Sequence, residues 1–279
     1  MSARSRKVPA HLAGLVVEPE PSPAPSGSTP SVRATPARTS GIDAPHDASV
    51  LAHIVAATPS RVAAGRTGTR YRTQSYLELR ADHAIAKDAV HASIPRETAA
   101  RLGCIEVVSR CPDREHYLLH PNDGRRLSSE SRALLDRDGT HGADVQVILA
   151  DGLAAPALDR NGPALLPSLT AALQRRGLSV GRPVLARMAR VGLQDDIGVL
   201  LGSKATLICL GERPGLGTGD SMSIYIAVAP RLDQDNAEKN CISNIRPQGL
   251  SPEKAAEEAA DIVARGIAAG RGGLALARS

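Results

Sequence analysis

Tryptophan and phenylalanine are missing from this chain of 279 residues, and four tyrosines are the only aromatics it has. A platform of stacked aromatics for single-stranded nucleic acid is thereby disfavoured, and the core must be built from Leu, Val, Ile and Ala. Cysteine is scarce too. Cys104, Cys111, Cys209 and Cys241 form no C-x-x-C pair, and no histidine stands at zinc-finger spacing from them. Neither a disulfide scaffold nor a zinc site is expected, and a reducing cytosolic setting fits best. No stretch approaches the length of uninterrupted apolar residues that a membrane helix needs, and Met1-Ser-Ala-Arg-Ser-Arg-Lys7 lacks the apolar core of a secretory signal. The expectation is a soluble, unsecreted protein with no membrane partner. An excess of one charge is also lacking: 34 Lys+Arg stand against 29 Asp+Glu, a net +5 spread along the chain. This reads as solvated surface, and no nucleic-acid partner is expected.

What is present falls into three stretches. Residues 1–45 hold eight of the 20 prolines, in runs such as Pro19-Glu-Pro-Ser-Pro-Ala-Pro25, and are expected to be a disordered Pro/Ser/Ala-rich tail. The short apolar patch Leu12 to Val17 is read as part of that tail. Residues 46–140 read as a mainly helical region. Its clearest signal is Ser75-Tyr-Leu-Glu78, a capping-box pattern opening a helix, with Leu77, Ala81, Ala84, Ile85 and Ala89 on one face. Cys104 to Leu119 suggests a hairpin turning at Pro112-Asp113. Residues 141–279 alternate short apolar runs with helical segments. Strands are expected at Val145–Leu149, Pro183–Met188, Ala205–Leu210 and Ser223–Ala229. Helices are expected around Pro167, over Gln194–Leu201 before Gly202, and after the cap Ser251-Pro252-Glu253. The fold class is therefore α/β: a mostly parallel Rossmann-like sheet in the C-terminal half, preceded by a smaller mainly helical region and a disordered tail.

In open α/β sheets ligands gather at the carboxyl ends of strands, which directs attention to two loops. Asp151-Gly152 reads as an ordinary turn. Gly211-Glu-Arg-Pro-Gly-Leu-Gly217 packs three glycines, a proline, a carboxylate and a guanidinium into seven residues, so it reads as functional, with Glu212 offering acceptors to a ligand amide or hydroxyl. It is no dinucleotide fingerprint, since the spacing is wrong and a strand follows, and Gly202-Ser-Lys204-Ala is no Walker loop. Nucleophilic catalysis lacks support: Asp220-Ser221-Met222 is not a G-x-S-x-G elbow, and no histidine follows His141. Asp82-His83 sits on a helix whose neighbours point about 100 degrees apart, so surface or interface polarity is its better reading. Arg125-Arg126 reads equally as an anion clamp or a solvated turn. Cys241, whose only nearby cation in sequence is Lys239, reads as a small buried contact residue.

Several longer segments, in order, resemble the small (light) subunit of ethanolamine ammonia-lyase. They are Arg72-Thr-Gln-Ser-Tyr-Leu77, Arg80-Ala-Asp-His83, Lys87-Asp-Ala-Val90, Gly124-Arg-Arg-Leu127, Asp144 to Leu153, Arg190-Val-Gly-Leu-Gln-Asp-Asp-Ile-Gly198, Gly211 to Gly217, Ala229-Pro-Arg231 and Asn240-Cys-Ile-Ser-Asn-Ile-Arg246. The resemblance covers roughly residues 55 to 270. It implies an adenosylcobalamin-dependent carbon–nitrogen lyase that converts ethanolamine to acetaldehyde and ammonia by radical chemistry. It implies a hetero-oligomer in which a larger barrel-shaped chain performs the chemistry and the small subunit closes over the corrin. This chain alone is then expected to be inactive, with no catalytic residue and no metal ligand of its own. Matched motif by motif, the cobalamin contacts fall on Val191, Glu212 and Cys241. No Asp-x-His-x-x-Gly signature offers a lower ligand to cobalt, in keeping with the family's base-on binding.

The resemblance also implies a cytoplasmic enzyme, housed by some relatives in a bacterial microcompartment. The proline-rich tail lies outside the matched stretch, so no targeting role carries over to it. Thr218-Gly219-Asp220 departs from the serine-containing variants common in the family, which bears on the loop contacts alone. The reading from another class is a stand-alone α/β small-molecule binding module that uses the same glycine-rich loop without catalysis.

Overall fold

The structure is a computed structural model that describes residues 40–58 and 60–277. Residues 1–39 of the expected tail, with its Leu12 to Val17 patch, lie outside the described residues. The last residues of that stretch are already tied down. The Asp43 carboxylate takes both Nη atoms of Arg72 at 2.7 and 2.6 Å, and Gly41 donates its N–H to Ala63 O at 2.8 Å.

Two helices, α1 (Ala48–Ala56) and α2 (Thr73–His91), flank a two-residue-a-side ribbon of β1 (Arg66–Thr67) and β2 (Arg70–Tyr71). Helix α2 begins at Thr73 with Arg72 as its N-cap, and not at the Ser75 capping box. Ser75 instead donates its hydroxyl to Ala64 O at 2.7 Å, which holds the preceding loop against the helix. Of the apolar face expected on α2 only Ala89 is buried, while Leu77, Ala81, Ala84 and Ile85 are exposed.

A short helix, α3 (Thr98–Arg101), leads to the six-stranded sheet, whose order is β3-β5-β4-β6-β7-β8. Its strands are β3 (Ile105–Val108), β4 (Val145–Ala150), β5 (Val184–Arg187), β6 (Ala205–Gly211), β7 (Met222–Val228) and β8 (Lys239–Ile245). The pairings from β3 through β6 are parallel and the last two are antiparallel. The expected mostly parallel sheet is thus present. The hairpin is not. Ile105–Val108 pairs in parallel with β5, far away in sequence, and Asp113 caps a helix, α4 (Arg114–Leu119), by accepting the His116 N–H at 2.8 Å. An Asp beside a proline serves a helix start as readily as a turn, and Tyr117, wholly buried, gives that helix its core contact.

The buried parallel strands β4 and β6 have no exposed residue, as strands covered on both faces should. On one face lie α6 (Ala155–Arg175) and α8 (Pro252–Ala269), with the short α9 (Gly273–Ala277) behind them. Leu165, Leu169 and Leu173 of α6 are fully buried there, each contributing roughly 1.5–3 kcal/mol of burial. Ala255, Ala256, Ala259 and Ala260 give α8 a small-residue face that meets α6 and the sheet closely. On the other face lie α5 (Ser129–Asp138) and α7 (Leu193–Leu201), packed through Leu135, Leu193, Ile197 and Leu201. Helix α7 ends at Gly202, whose φ of 65° supplies the left-handed cap that the sequence signalled. Beyond α7 this face is open: Tyr225 on β7 is only partly buried and Cys241 on β8 is exposed.

Candidate functional site

The carboxyl ends of β4, β5 and β6 come together at one edge of the sheet. Gly152, at φ 54°, closes the turn after β4, and a Cβ there would stand 2.3 Å from Gly211 O. Leu153 donates its N–H to that same oxygen at 3.0 Å. The two loops singled out in the sequence are therefore neighbours.

Asp151 is the centre of this edge, and it is no ordinary turn residue. Its carboxylate, buried at 4% exposure, accepts the N–H of Met188 at 2.8 Å and of Ala189 at 3.1 Å, and Arg114 Nη1 approaches at 3.2 Å. Burial pushes the Asp151 pKa up, opposed by the Arg114 guanidinium and by the backbone N–H groups of Met188, Ala189 and Gly152. Met188 has a φ of 53°, an unfavourable backbone for a side chain without branching to a turn role, and the clamp holds it there. Ser109 Oγ donates to Met188 O at 2.7 Å and Tyr117 Oη to Ala189 O at 3.1 Å. Fixed in this way, the loop delivers Val191 to the start of α7, where its side chain packs on the same apolar cluster as Tyr225.

At the end of β6, Glu212 Oε1 accepts from Ser223 Oγ at 2.6 Å and from Asn244 N–H at 2.8 Å. Its other oxygen has no partner among the described residues. Ser223 and Tyr225 alternate onto the open face of β7, and Cys241 is the register partner of Tyr225 on β8. Cys241 is exposed, which corrects the expectation of a buried residue: β8 is the outer strand, and beyond α7 nothing covers this face of it. Burial of the sulfur against its neighbours pushes the thiol pKa up; hydrogen bonds from Tyr225 and Ser223 oppose this, and the Glu212 charge adds to it. Burial likewise pushes Tyr225 up to about 12. Both groups are protonated at neutral pH, so neither is a ready nucleophile or base.

Val191, Glu212 and Cys241, from three separate segments, thus border one open surface with an apolar floor, one free carboxylate oxygen and a neutral thiol. Beside it, under the start of α7, lies a cavity of about 360 Å³ lined by Arg125, Arg126, Arg190, Val191, Asp195 and Lys239, among others. Arg125-Arg126 is therefore part of a cavity wall: Arg126 pairs with Asp233 at 2.7 Å and Arg125 lies along Gly192. The sequence reading passed over Asp195 and Lys239, which form an ion pair of 2.9 Å with side chains 1% and 2% exposed. The available signal was Asp195-Asp196, two carboxylates in an otherwise apolar helix. Asp82-His83 stands apart from this surface: Asp82 pairs with Arg61 and His83 is exposed on α2. No group of three or more His, Cys, Asp or Glu suited to a metal ion occurs among the described residues. No helix among them is long and apolar enough to cross a membrane.

A Rossmann-like sheet that leaves part of one face open, with loops and no nucleophile around it, defines a binding subunit that works against another surface. The family model of the ethanolamine ammonia-lyase light chain (EutC) matches residues 48–277. The chain belongs to that family and is a light subunit of ethanolamine ammonia-lyase, a lyase of ethanolamine catabolism whose light chain works with a heavy chain.

Proposed function

We propose that the open face of β7 and β8 holds adenosylcobalamin against the large subunit, with Val191, Glu212 and Cys241 as the contacts of this chain. The observation that carries the reading is the convergence of these three residues on one uncovered surface. Its chemistry suits a corrin, which has apolar faces and a rim of carboxamides. Val191, the Tyr225 ring and the small Cys241 side chain offer apolar contact, and the free Glu212 oxygen accepts a carboxamide N–H. When bound, the cofactor supplies the radical chemistry by which ethanolamine yields acetaldehyde and ammonia. The residues of this chain bind, orient and exclude water. Asp151 and Tyr117 fix the Val191 loop, Ser223 and Asn244 aim Glu212, and Tyr225 keeps the Cys241 thiol in place.

The large subunit is proposed to dock on α1 and α2 as well as over the open face. Helix α1 has no buried residue, and Val50, Ile54, Leu77 and Ile85 are between 47% and 58% exposed. Short helices with bare apolar sides gain their stability from tertiary contacts, which a second chain would supply. The complex is placed in the cytoplasm, with a microcompartment as one setting for it.

Acetaldehyde release from ethanolamine and adenosylcobalamin tests the reading, with this chain assayed alone and co-expressed with its heavy chain. Activity is expected only in the pair. A folded, co-purifying pair without activity would favour the stand-alone binding module.

A further inference from the structure

The cavity under the start of α7 has an unmet demand for hydrogen bonds. Nine buried side-chain atoms lack a partner among the described residues, and three of them, Arg190 Nε, Asp195 Oδ1 and Gln234 Oε1, belong to residues lining this one cavity. Asp195 and Gln234 are 1% and 6% exposed. They are tied together through Lys239, whose Nζ donates to Asp195 Oδ2 at 2.9 Å and to Gln234 O at 2.8 Å. The rest of each group is committed: Gln234 Nε2 donates to Val228 O at 3.2 Å and Arg190 Nη2 to Tyr117 O at 2.9 Å. A buried polar atom left unpaired costs about 1–3 kcal/mol, so three in one place mark a site completed by a ligand.

The orphan set specifies the ligand's chemistry. Two acceptors require two donors, and one donor requires an acceptor. A carboxylate or phosphate has no proton to give at neutral pH, would leave both oxygens unmet, and would set a second negative charge beside Asp195. An ammonium could donate, but it offers nothing to Arg190 Nε and would stand among Arg125, Arg190 and Lys239. A primary carboxamide has two N–H donors on one nitrogen and a carbonyl beside it, which matches the set. Asp195 and Lys239 already neutralise each other, as do Arg126 and Asp233, so a neutral guest disturbs neither pair.

We infer that this cavity receives a primary carboxamide arm of the corrin rim, with its N–H groups on Asp195 Oδ1 and Gln234 Oε1 and its carbonyl on Arg190 Nε. The inference rests on the reading of the open face as the cobalamin site. Val191 connects the two, since it lines the cavity and packs on the same apolar cluster as Tyr225.

The test is a spectral titration of the assembled complex with adenosylcobalamin and with derivatives in which a single rim carboxamide has been hydrolysed to carboxylate. At least one derivative is expected to bind about tenfold or more weakly than the parent, a difference of about 1.4 kcal/mol. Gln234→Met, which removes the Oε1 acceptor at similar bulk and leaves the Asp195–Lys239 pair intact, is expected to weaken the parent and shrink that preference to about threefold or less. Equal affinity of the wild-type complex for parent and derivatives overturns the inference while leaving the Glu212 reading standing. A preference that survives Gln234→Met unchanged places the amide reader elsewhere and overturns it too. If the variant instead loosens co-purification with the heavy chain at unchanged preference, the amide belongs to a side chain of the partner, not to the corrin. Failure of the parent to bind overturns both readings.

Discussion

On one side of β7, Met222, Ile224 and Ile226 lie wholly buried beneath α6 and α8; on the other, Ser223 and Tyr225 turn toward Glu212 and the exposed Cys241. The two sides alternate along a single strand, so the same backbone serves two tasks with opposite demands. The covered side holds the sheet together through apolar burial and offers no polar group to a ligand. The open side spends part of its potential burial on a serine, a tyrosine hydroxyl, a carboxylate and a thiol, and it is stabilised by the other. Substitutions on the covered side should therefore be read in stability, and those on the open side in affinity.

The largest effect is expected where the covered side is densest. Leu169→Ala in α6 removes a fully buried side chain and should cost about 2–5 kcal/mol in denaturant unfolding. Loss below about 1 kcal/mol would show that α6 repacks and that the covered side is not the structural one. Asp151 stands at the border between the two sides. Asp151→Ala leaves the Arg114 charge and the Met188 and Ala189 N–H groups unanswered, and should cost about 3–5 kcal/mol. Asp151→Asn retains a carbonyl oxygen for one N–H and should recover part of this. Cofactor affinity should fall with stability in both, because the same clamp places Val191. Affinity unchanged in a destabilised Asp151→Asn complex would separate the clamp from the site.

The covered side was the more legible one in the sequence. Val145–Leu149 and Ala205–Leu210 read as strands because residues buried on both faces make continuous apolar runs, and Gly202 and Ser251 marked helix ends by backbone chemistry that is local. Ile105–Val108 was read as a strand but given the wrong partner, since its pairing with β5 is a long-range fact that no local turn signal reports. Helix α2 shows the converse: its apolar spacing announced a face to be buried, yet within this chain most of that face is bare, because periodicity says that a face is apolar and not what covers it. Glu212 could be singled out from the composition of its loop. Asp151 could not, since the atoms it holds belong to residues 188 and 189. Lys239 and Gln234 were invisible for the same reason: their pairing with Asp195 is made by strand placement, and an isolated lysine in a sequence reads as surface.

Glu212 sharpens the contrast from the open side. Glu212→Ala should weaken adenosylcobalamin binding to the assembled complex by about tenfold while costing about 1 kcal/mol or less of stability, as its loop is part-exposed. Glu212→Gln keeps an oxygen for Ser223 Oγ and Asn244 N–H but loses the charge, so it should hold the loop while still weakening the cofactor. If Glu212→Gln binds the cofactor like the wild type, the residue acts by shaping the loop and not by meeting the ligand.

Cys241 carries the smallest stability effect and the finest test of the open side. Cys241→Ala should change stability by less than about 0.5 kcal/mol, because the residue is exposed and leaves no sealed cavity. Its reactivity distinguishes exposure from readiness to react. Cys104, Cys111 and Cys209 are buried, so iodoacetamide should label Cys241 alone among the four cysteines in the folded chain. The thiolate is the nucleophile, and the thiol pKa stands above its ordinary value of 9.0, so labelling should be slow at pH 7 and should rise only as pH passes beyond 9.0. Tyr225→Phe removes one of the hydrogen bonds that favour the thiolate, and should move the labelling profile further toward high pH. Adenosylcobalamin bound in the complex should slow labelling at every pH, since the corrin would lie on the sulfur. Rapid labelling at pH 7 would mean that this face holds a reactive thiolate, and the neutral, apolar character assigned to the open side would have to be given up.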